Sequence, residues 1–270
     1  MNYNKLIEFV YEAREIIFSK SLNAQIKNEN PNDFITAVDI GISDFLKEKF
    51  AKEFPDVGFV TEEENSHTLL NKSFILDPID GTTNLIYDYQ MSSISLAYQE
   101  DNDVKFGVVF NPFTNEMFFS IKGKGSHLFR TDRGIASLIK KGVENYTANT
   151  LKVSDREFSK SIIEFGANVS NKKIAKETFK RARRIFENCL DLRRICSTAI
   201  TICYIAAGRI DGYFEKIIKP WDFAAGMLIL AEAGGKSSTW EGENLPLDKS
   251  CSIICSNTVN YDLLKKFVTK

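Results

Sequence analysis

Residues 77–84 read Asp-Pro-Ile-Asp-Gly-Thr-Thr-Asn and follow directly on the apolar run Ser73-Phe74-Ile75-Leu76. That run has the length and composition of a short buried strand. Pro78 has no N–H to give to a sheet ladder, so pairing is expected to stop there and leave Asp77 and Asp80 at the strand's C-terminal edge. Gly81 permits a turn, and Thr82, Thr83 and Asn84 are residues that favour the opening of a helix. A strand that ends in acids and leads into a helix N-terminus puts a cation site beside an anion site. The carboxylates take a divalent metal, and the first N–H groups of the helix point at a phosphate. The same residue types also make ordinary surface turns, so the motif alone leaves that reading open.

Other acids in the chain favour the metal. Glu62-Glu63-Glu64 comes after a second strand-like run, Val57-Gly58-Phe59-Val60, and Trp221-Asp222-Phe223-Ala224-Ala225-Gly226 sets an isolated acid at the start of an apolar helix. Two or three divalent ions gathered on one phosphate need several carboxylates for charge balance.

With 270 residues, 43% of them hydrophobic, the chain can bury the core of one large domain or of two packed halves. A formal net charge of −1 argues against a nucleic-acid or membrane-surface binder. Met1-Asn2-Tyr3-Asn4-Lys5 leads straight into an amphipathic pattern without an apolar leader, and no stretch approaches a membrane span, so a cytoplasmic protein is expected. Cys189, Cys196, Cys203, Cys251 and Cys255 are odd in number and scattered in apolar surroundings, which reads as reduced thiols rather than disulfides or zinc ligands. His67 and His127 lie in polar loop contexts with no Ser or Cys partner motif, against a nucleophilic triad.

Helical spacing of apolar residues predicts helices over 4–27 and about 39–53, broken by Asn30-Pro31-Asn32 and ended by Pro55. A polar loop is expected at 64–72. Residues 92–130 alternate as an antiparallel meander, and 135–150 read as a polar connector. The second half alternates strand and helix: strand at 162–165, helix at 171–188, helix at 198–207, strand at 212–214, helix at 222–233 and strand at 252–255. Two halves, 1–150 and 151–270, are therefore expected. The basic run Lys172, Lys173, Lys176, Lys180, Arg181, Arg183, Arg184, Arg193 and Arg194 reads as a solvated helix face, or as an attractor of phosphorylated substrate.

The eight-residue motif, the upstream Glu62-Glu63 and the downstream Trp221-Asp222 with Ala224-Ala225-Gly226 resemble the inositol monophosphatase family of magnesium-dependent, lithium-sensitive phosphomonoesterases. The likeness runs from Asn32-Asp33-Phe34-Ile35-Thr36-Ala37-Val38-Asp39 to Gly234-Gly235. One departure is Thr61, where the family usually has Gly. The resemblance implies the five-layered α-β-α-β-α sandwich of the inositol monophosphatase and fructose-1,6-bisphosphatase type. It implies a first magnesium held by Glu62, Asp77 and the carbonyl of Ile79, and a second held by Asp77, Asp80 and Asp222. A third, weaker ion is implied near Glu62, and lithium is expected to compete at the second site.

By the same resemblance Thr82, backed by Asp39, orients the attacking water, while Gly81 and Thr82 cradle the phosphate. Asp39 also reads simply as the N-cap of the second helix. Ser197, Thr198, Ala199 and Glu215 are expected to meet the alcohol of the substrate, and Glu215 alternatively reads as a strand-end acid paired with Lys216 or Lys219. Trp221 is expected to pack and fix Asp222. The partner so implied is a small phosphate ester of inositol, a sugar or a nucleotide, and the assembly a homodimer. Fructose 1,6-bisphosphate or NADP(H) phosphatase activity is the nearest alternative. A 3′(2′),5′-bisphosphate nucleotidase is less favoured, because such enzymes usually carry Lys-Glu where this chain has Thr83-Asn84. A non-enzymatic regulator of the same fold would be marked by loss of an acidic ligand, and Glu62, Asp77, Asp80 and Asp222 are all present.

Overall fold

The apolar run before the acidic motif is the second strand of a six-stranded sheet that is buried on both faces. The computed structural model describes residues 1–19, 27–30, 33–63, 68–168 and 171–270. In chain order these form α1 (Tyr3–Ser19), β1 (Lys27–Asn30), β2 (Asp33–Ile35), α2 (Ala37–Glu53), β3 (Gly58–Thr61), β4 (Lys72–Asp80), α3 (Thr82–Ile86), β5 (Ser93–Glu100), β6 (Asp103–Asn111), β7 (Glu116–Ile121), β8 (Ser126–Arg130) and α4 (Ala136–Lys141). The second half adds β9 (Ile162–Phe165), α5 (Ala175–Phe186), β10 (Asp191–Arg193), α6 (Thr198–Ala206), β11 (Gly212–Ile218), α7 (Pro220–Glu232), β12 (Lys236–Ser238), β13 (Cys251–Ser256) and α8 (Tyr261–Thr269).

The first large sheet runs β3-β4-β5-β6-β7-β8, parallel between β3 and β4 and antiparallel beyond. Successive side chains of a strand point to opposite faces, so Phe74 and Leu76 meet the stripe Leu6, Ile7, Val10, Ile42, Leu46 and Phe50 of α1 and α2. Ile75 points the other way, into a core shared with Ile202, Ile205, Phe223, Leu228 and Ile229 of α6 and α7. The second large sheet runs β10-β9-β11-β13-β12 and lies on the far side of α6 and α7. Its outer face, with Ile163, Phe214 and Ile254, is covered by α5 and α8. The order is helix pair, sheet, helix pair, sheet, helix pair: the expected α-β-α-β-α sandwich. Phe74 and Phe50 stack at 4.4 Å between ring centres, and truncating a fully buried Phe of this kind costs about 3–5 kcal/mol.

Several expectations are corrected. The first helix ends at Ser19; residues 20–26 lie outside the described residues, and Lys27–Asn30 pair with Asp33–Ile35 as a two-stranded ribbon instead of continuing a helix. Pro31 and Asn32, part of the predicted break, and residues 64–67 of the polar loop, His67 among them, lie outside the described residues. Strand pairing does not stop at Pro78. The ladder becomes irregular between Asp77 and Asp80 and is regained at Asp80 opposite Ser93, so a bulge accommodates the proline. The connector at 135–150 contains α4. His127 is a buried residue of β8, bonded through Nδ1 to the carbonyl of Ala148 and packed on Phe119. All five cysteines are free; Cys203 and Cys255 are buried as expected, but Cys196 is exposed. Among the described residues no helix is long and apolar enough to cross a membrane.

Candidate active site

The bulge at the end of β4 turns both acids of the motif toward the layer of α6 and α7. Asp77 is buried, and its Oδ1 accepts the N–H of Ile79 at 3.0 Å. Gly81 then takes φ +92°, a left-handed conformation, and a Cβ there would meet the carbonyl of Met91 at 3.0 Å and Ser197 at 3.2 Å, so the position needs glycine twice over. It is the N-cap of α3, and Ser92 donates to its carbonyl at 2.8 Å.

Asp80 crosses to the second half of the chain. The Ser197 hydroxyl reaches its Oδ2 at 2.5 Å, and the N–H groups of Thr198 and Ala199 reach it at 3.1 and 2.8 Å. Asp80 thus caps α6, an apolar helix with Ser197 at its N-cap position. Asp222 stands in the first turn of α7, which starts at Pro220, and its Oδ2 accepts the Lys219 N–H at 2.9 Å. Carboxylate oxygens of Glu62, Asp77 and Asp222 lie within 4.8 Å of one another. Glu62 is exposed and the two aspartates are shielded.

Electrostatics follow from this crowding. Burial pushes Asp77 well above the usual carboxylate range, helped by the charges of Glu62, Asp80 and Asp222. Burial raises Asp80 to about 6 against the pull of Ser197, and raises Asp222 to about 8 with Asp80 adding to it. Carboxyl groups held this close together repel as anions, and hard oxygen donors of this kind suit a magnesium-like cation. The donor set therefore fits the metal that the motif implies.

Asp39 is not an N-cap. Thr36 caps α2, and Asp39 is its third residue, taking the N–H of Thr36 at 2.9 Å and also its hydroxyl in a capping box. The other Asp39 oxygen stands 3.3 Å from the Thr82 hydroxyl, which is also 3.1 Å from the carbonyl of Ile79. One carboxylate thus closes the capping box of α2 and meets Thr82, and burial raises it to about 6. Thr61, the departure from the family pattern, is fully buried and receives the Ser43 hydroxyl at 3.4 Å.

Glu62, Asp77, Asp80 and Asp222 line a cavity of about 430 Å³, together with Ile79, Gly81, Thr82, Ser197, Thr198 and Glu215, and Asp39 stands behind Thr82 outside the lining. Ala199 meets Asp80 through its N–H but does not face the cavity itself. Glu215 pairs with neither lysine proposed from sequence. It accepts the Tyr213 hydroxyl at 2.5 Å and the Asn168 N–H at 3.1 Å. Burial raises its pKa. Trp221 is buried and does not line the cavity, in keeping with a packing role. Of the basic run, Arg194 lines the cavity, whereas Arg181 and Arg184 tie α5 to α8 through the carbonyls of Val268 and Phe267.

Sequence reasoning passed over Glu164, Tyr213, Asn168 and Lys219, which also face this space. An acid inside the apolar strand Ile162-Ile163-Glu164-Phe165 was the available signal, since such residues are rarely buried without purpose.

A sequence profile of the inositol monophosphatase family matches residues 3–270. The chain is 30% identical to the inositol-1-monophosphatase of Rhizobium meliloti over 261 residues, 94% of this chain and 91% of that one. It is equally similar, at 30% over 260 residues, to the Nus factor SuhB of Pasteurella multocida, covering 95% and 88%. The crystal structure of the extragenic suppressor protein suhB from Bartonella henselae superposes with a TM-score of 0.86 at 25% identity, over 99% of this chain and 98% of that one. The chain belongs to the inositol monophosphatase family.

Proposed function

We propose that the protein is a magnesium-dependent phosphomonoesterase acting on inositol monophosphate or a related small phosphate ester. The observation that carries this reading is the convergence of Glu62, Asp77 and Asp222 within 4.8 Å, beside Asp80 and the Gly81–Thr82 turn in one cavity. Glu62, Asp77 and the Ile79 carbonyl would hold one ion and Asp77, Asp80 and Asp222 a second. When bound, such ions supply charge neutralisation and acidify water at neutral pH.

The chain's own groups do the rest. The Thr82 hydroxyl, with Asp39 behind it, accepts and orients a water on one side of the phosphorus. The N–H groups of Gly81 and Thr82 receive phosphate oxygens. Ser197, Thr198 and Ala199 hold Asp80 in place from the N-terminus of α6, and Glu215, fixed by Tyr213 and the Asn168 N–H, receives hydroxyl groups of the leaving alcohol. The acids of residues 1–150 and those of 151–270 meet in this way across the two halves.

The name Nus factor borne by the Pasteurella relative favours a regulatory role as the second reading. Retention of all four acids supports catalysis over that alternative. A homodimer is the assembly we propose, to be checked by sedimentation. The activity is tested by phosphate release from inositol 1-phosphate, fructose 1,6-bisphosphate, NADP and adenosine 3′,5′-bisphosphate, with magnesium and with EDTA. Magnesium-dependent turnover with the inositol ester foremost is expected; no turnover of any ester would overturn the reading.

A further inference from the structure

Glu164 sits inside β9, opposite Tyr213 of β11 in the parallel ladder. Residues paired in this way share a sheet face, and Glu215 lies two positions further along the same strand, so Glu164, Tyr213 and Glu215 form one wall. All three line the cavity described above. Ile163 and Phe214, which alternate with them, point to the opposite side and into the core under α5 and α8.

The two oxygens of Glu164 are treated differently. Oε1 accepts the Ile195 N–H at 2.6 Å. The Ile195 carbonyl is held in turn by the Asn84 side chain at 2.8 Å, so one peptide is clamped from both halves of the chain. The clamp precedes Cys196, whose φ of +63° is left-handed, and Ser197, which donates to Asp80. Oε2 is buried and makes no hydrogen bond of ordinary geometry among the described residues; the Thr201 hydroxyl and the Cys196 N–H lie near enough to favour the ionised carboxyl but do not close a bond to this oxygen. Its neighbours on the wall are engaged: the Tyr213 hydroxyl lies between Glu215 at 2.5 Å and Thr198 at 3.0 Å, and Glu215 takes the Asn168 N–H.

A brace for the Ile195 peptide needs one acceptor, and an amide would supply it. A buried carboxyl oxygen without a partner is costly, and that cost is removed when a ligand brings the missing group. Burial also pushes Glu164 up to about 7. A hydroxyl both donates and accepts, so it suits this carboxyl with or without its proton. A phosphate carries charge near neutral pH and is repelled by a wall of two carboxyl groups whenever either is ionised. Arg194, the basic group felt by Glu215, is exposed at the rim.

Resting on the phosphomonoesterase reading, we propose that Glu164 is a specificity-determining residue of the leaving-group subsite. Its free oxygen pairs with a hydroxyl of the departing alcohol, and with Glu215 it selects neutral polyhydroxyl alcohols over alcohols that carry a second phosphate at that position.

The test compares kcat/KM for inositol 1-phosphate, fructose 1,6-bisphosphate and p-nitrophenyl phosphate, with magnesium, in the full chain and in Glu164→Gln. The wild type is expected to favour the inositol ester over the bisphosphate by about tenfold or more, the scale of one well-placed polar contact. Glu164→Gln keeps an acceptor for Ile195 and removes the charge. The preference is expected to narrow by about tenfold, through KM rather than kcat. A wild type that prefers the bisphosphate overturns the proposal without recourse to any variant, and so does a preference unchanged by the substitution. Hydrolysis of the aryl phosphate, which offers this wall no hydroxyl, reports separately on the phosphatase reading: a wild type inert toward it and toward the other two esters removes that reading and the proposal together.

Discussion

The Ser197 hydroxyl lies 2.5 Å from Oδ2 of Asp80, a residue 117 positions earlier in the chain. The contact joins the end of a strand in the six-stranded sheet to the start of a helix sandwiched between the sheets. It explains how an acid at this depth is tolerated. Two N–H groups and the positive end of α6 favour its ionised form while burial opposes it. The charge of the same carboxylate is felt by Asp77 and Asp222, so the fold has placed the positive end of a helix beside a crowd of acids.

The metal assignment makes the strongest demand on these acids. Asp77→Asn and Asp80→Asn keep shape and remove charge, and each is expected to lower magnesium-dependent phosphate release by about a thousandfold or more, the scale of several kcal/mol of lost transition-state stabilisation. Chelation with EDTA should abolish turnover in the wild type. Turnover that persists in EDTA would sink the two-metal arrangement.

Stability should depend on pH and metal together. Asp80 at about 6, Asp222 at about 8 and Asp77, also raised, bind protons more tightly in the folded protein than in the unfolded chain, where an Asp titrates near 4. Their contribution is then fully present below about pH 4 and lost as pH climbs through the folded values of about 6 to 8. In EDTA the melting temperature is therefore expected to fall across that window. Magnesium binds the deprotonated groups and should stabilise more at pH 8 than at pH 5. Calorimetry with and without magnesium at both pH values checks this, and an equal metal-induced shift at each would count against it.

Lithium is close to magnesium in size but has half its charge. At the second site proposed for Asp77, Asp80 and Asp222 it is expected to take the place of the second ion and hold product phosphate in place, giving uncompetitive or mixed inhibition. Initial rates over a grid of lithium and substrate concentrations decide the matter. Unimpaired turnover at roughly tens of millimolar lithium, enough to fill a weak monovalent site, would exclude that mode.

Thr82→Ala should separate chemistry from binding. The hydroxyl stands between Asp39 and the Ile79 carbonyl, 3.3 and 3.1 Å away, and the role proposed for it is to orient water rather than to grip the ester. A fall in kcat of about a hundredfold with KM little changed is expected, because an oriented water matters chiefly in the transition state. An effect confined to KM would move Thr82 to substrate binding.

Much of this site was legible because its parts are local in sequence. Residues 77–84 hold two acids, a proline that forces the bulge and a glycine whose φ of +92° other residues resist, all within one turn. Most strands and helices followed from apolar runs at strand and helix spacing, whereas their stacking into five layers came from the family resemblance. What could not be read depends on long-range register. Glu164 acquires its meaning from Tyr213 across a parallel ladder and from a peptide thirty-one positions on, and an isolated acid in an apolar strand carries no such address. His127 looked like a loop residue because its polar neighbours were visible and the strand pairing with Phe119 was not. The N-cap expected at Asp39 lies three residues earlier, at Thr36, because the two exchange bonds in a capping box and spacing alone does not say which of them starts the helix.

Glu215 offers a last test in which geometry and chemistry are separable. Its carboxyl is fixed by Tyr213 and by the Asn168 N–H, and it packs against Gly166 so closely that a Cβ there would overlap the carboxyl group. Gly166→Ala is therefore expected to displace Glu215 without altering any ionisable group, while Glu215→Gln alters the charge and leaves the position filled. If Glu215 receives hydroxyls of the alcohol, both variants should raise KM for inositol 1-phosphate by about tenfold, the scale of one lost hydrogen bond, and affect p-nitrophenyl phosphate far less. Steady-state kinetics on the two esters distinguish the outcomes. Equal losses on both would move Glu215 from alcohol recognition to support of Asp222 and the ions, whereas a Gly166→Ala enzyme that keeps its KM for the inositol ester would show that the position of Glu215 does not matter to binding.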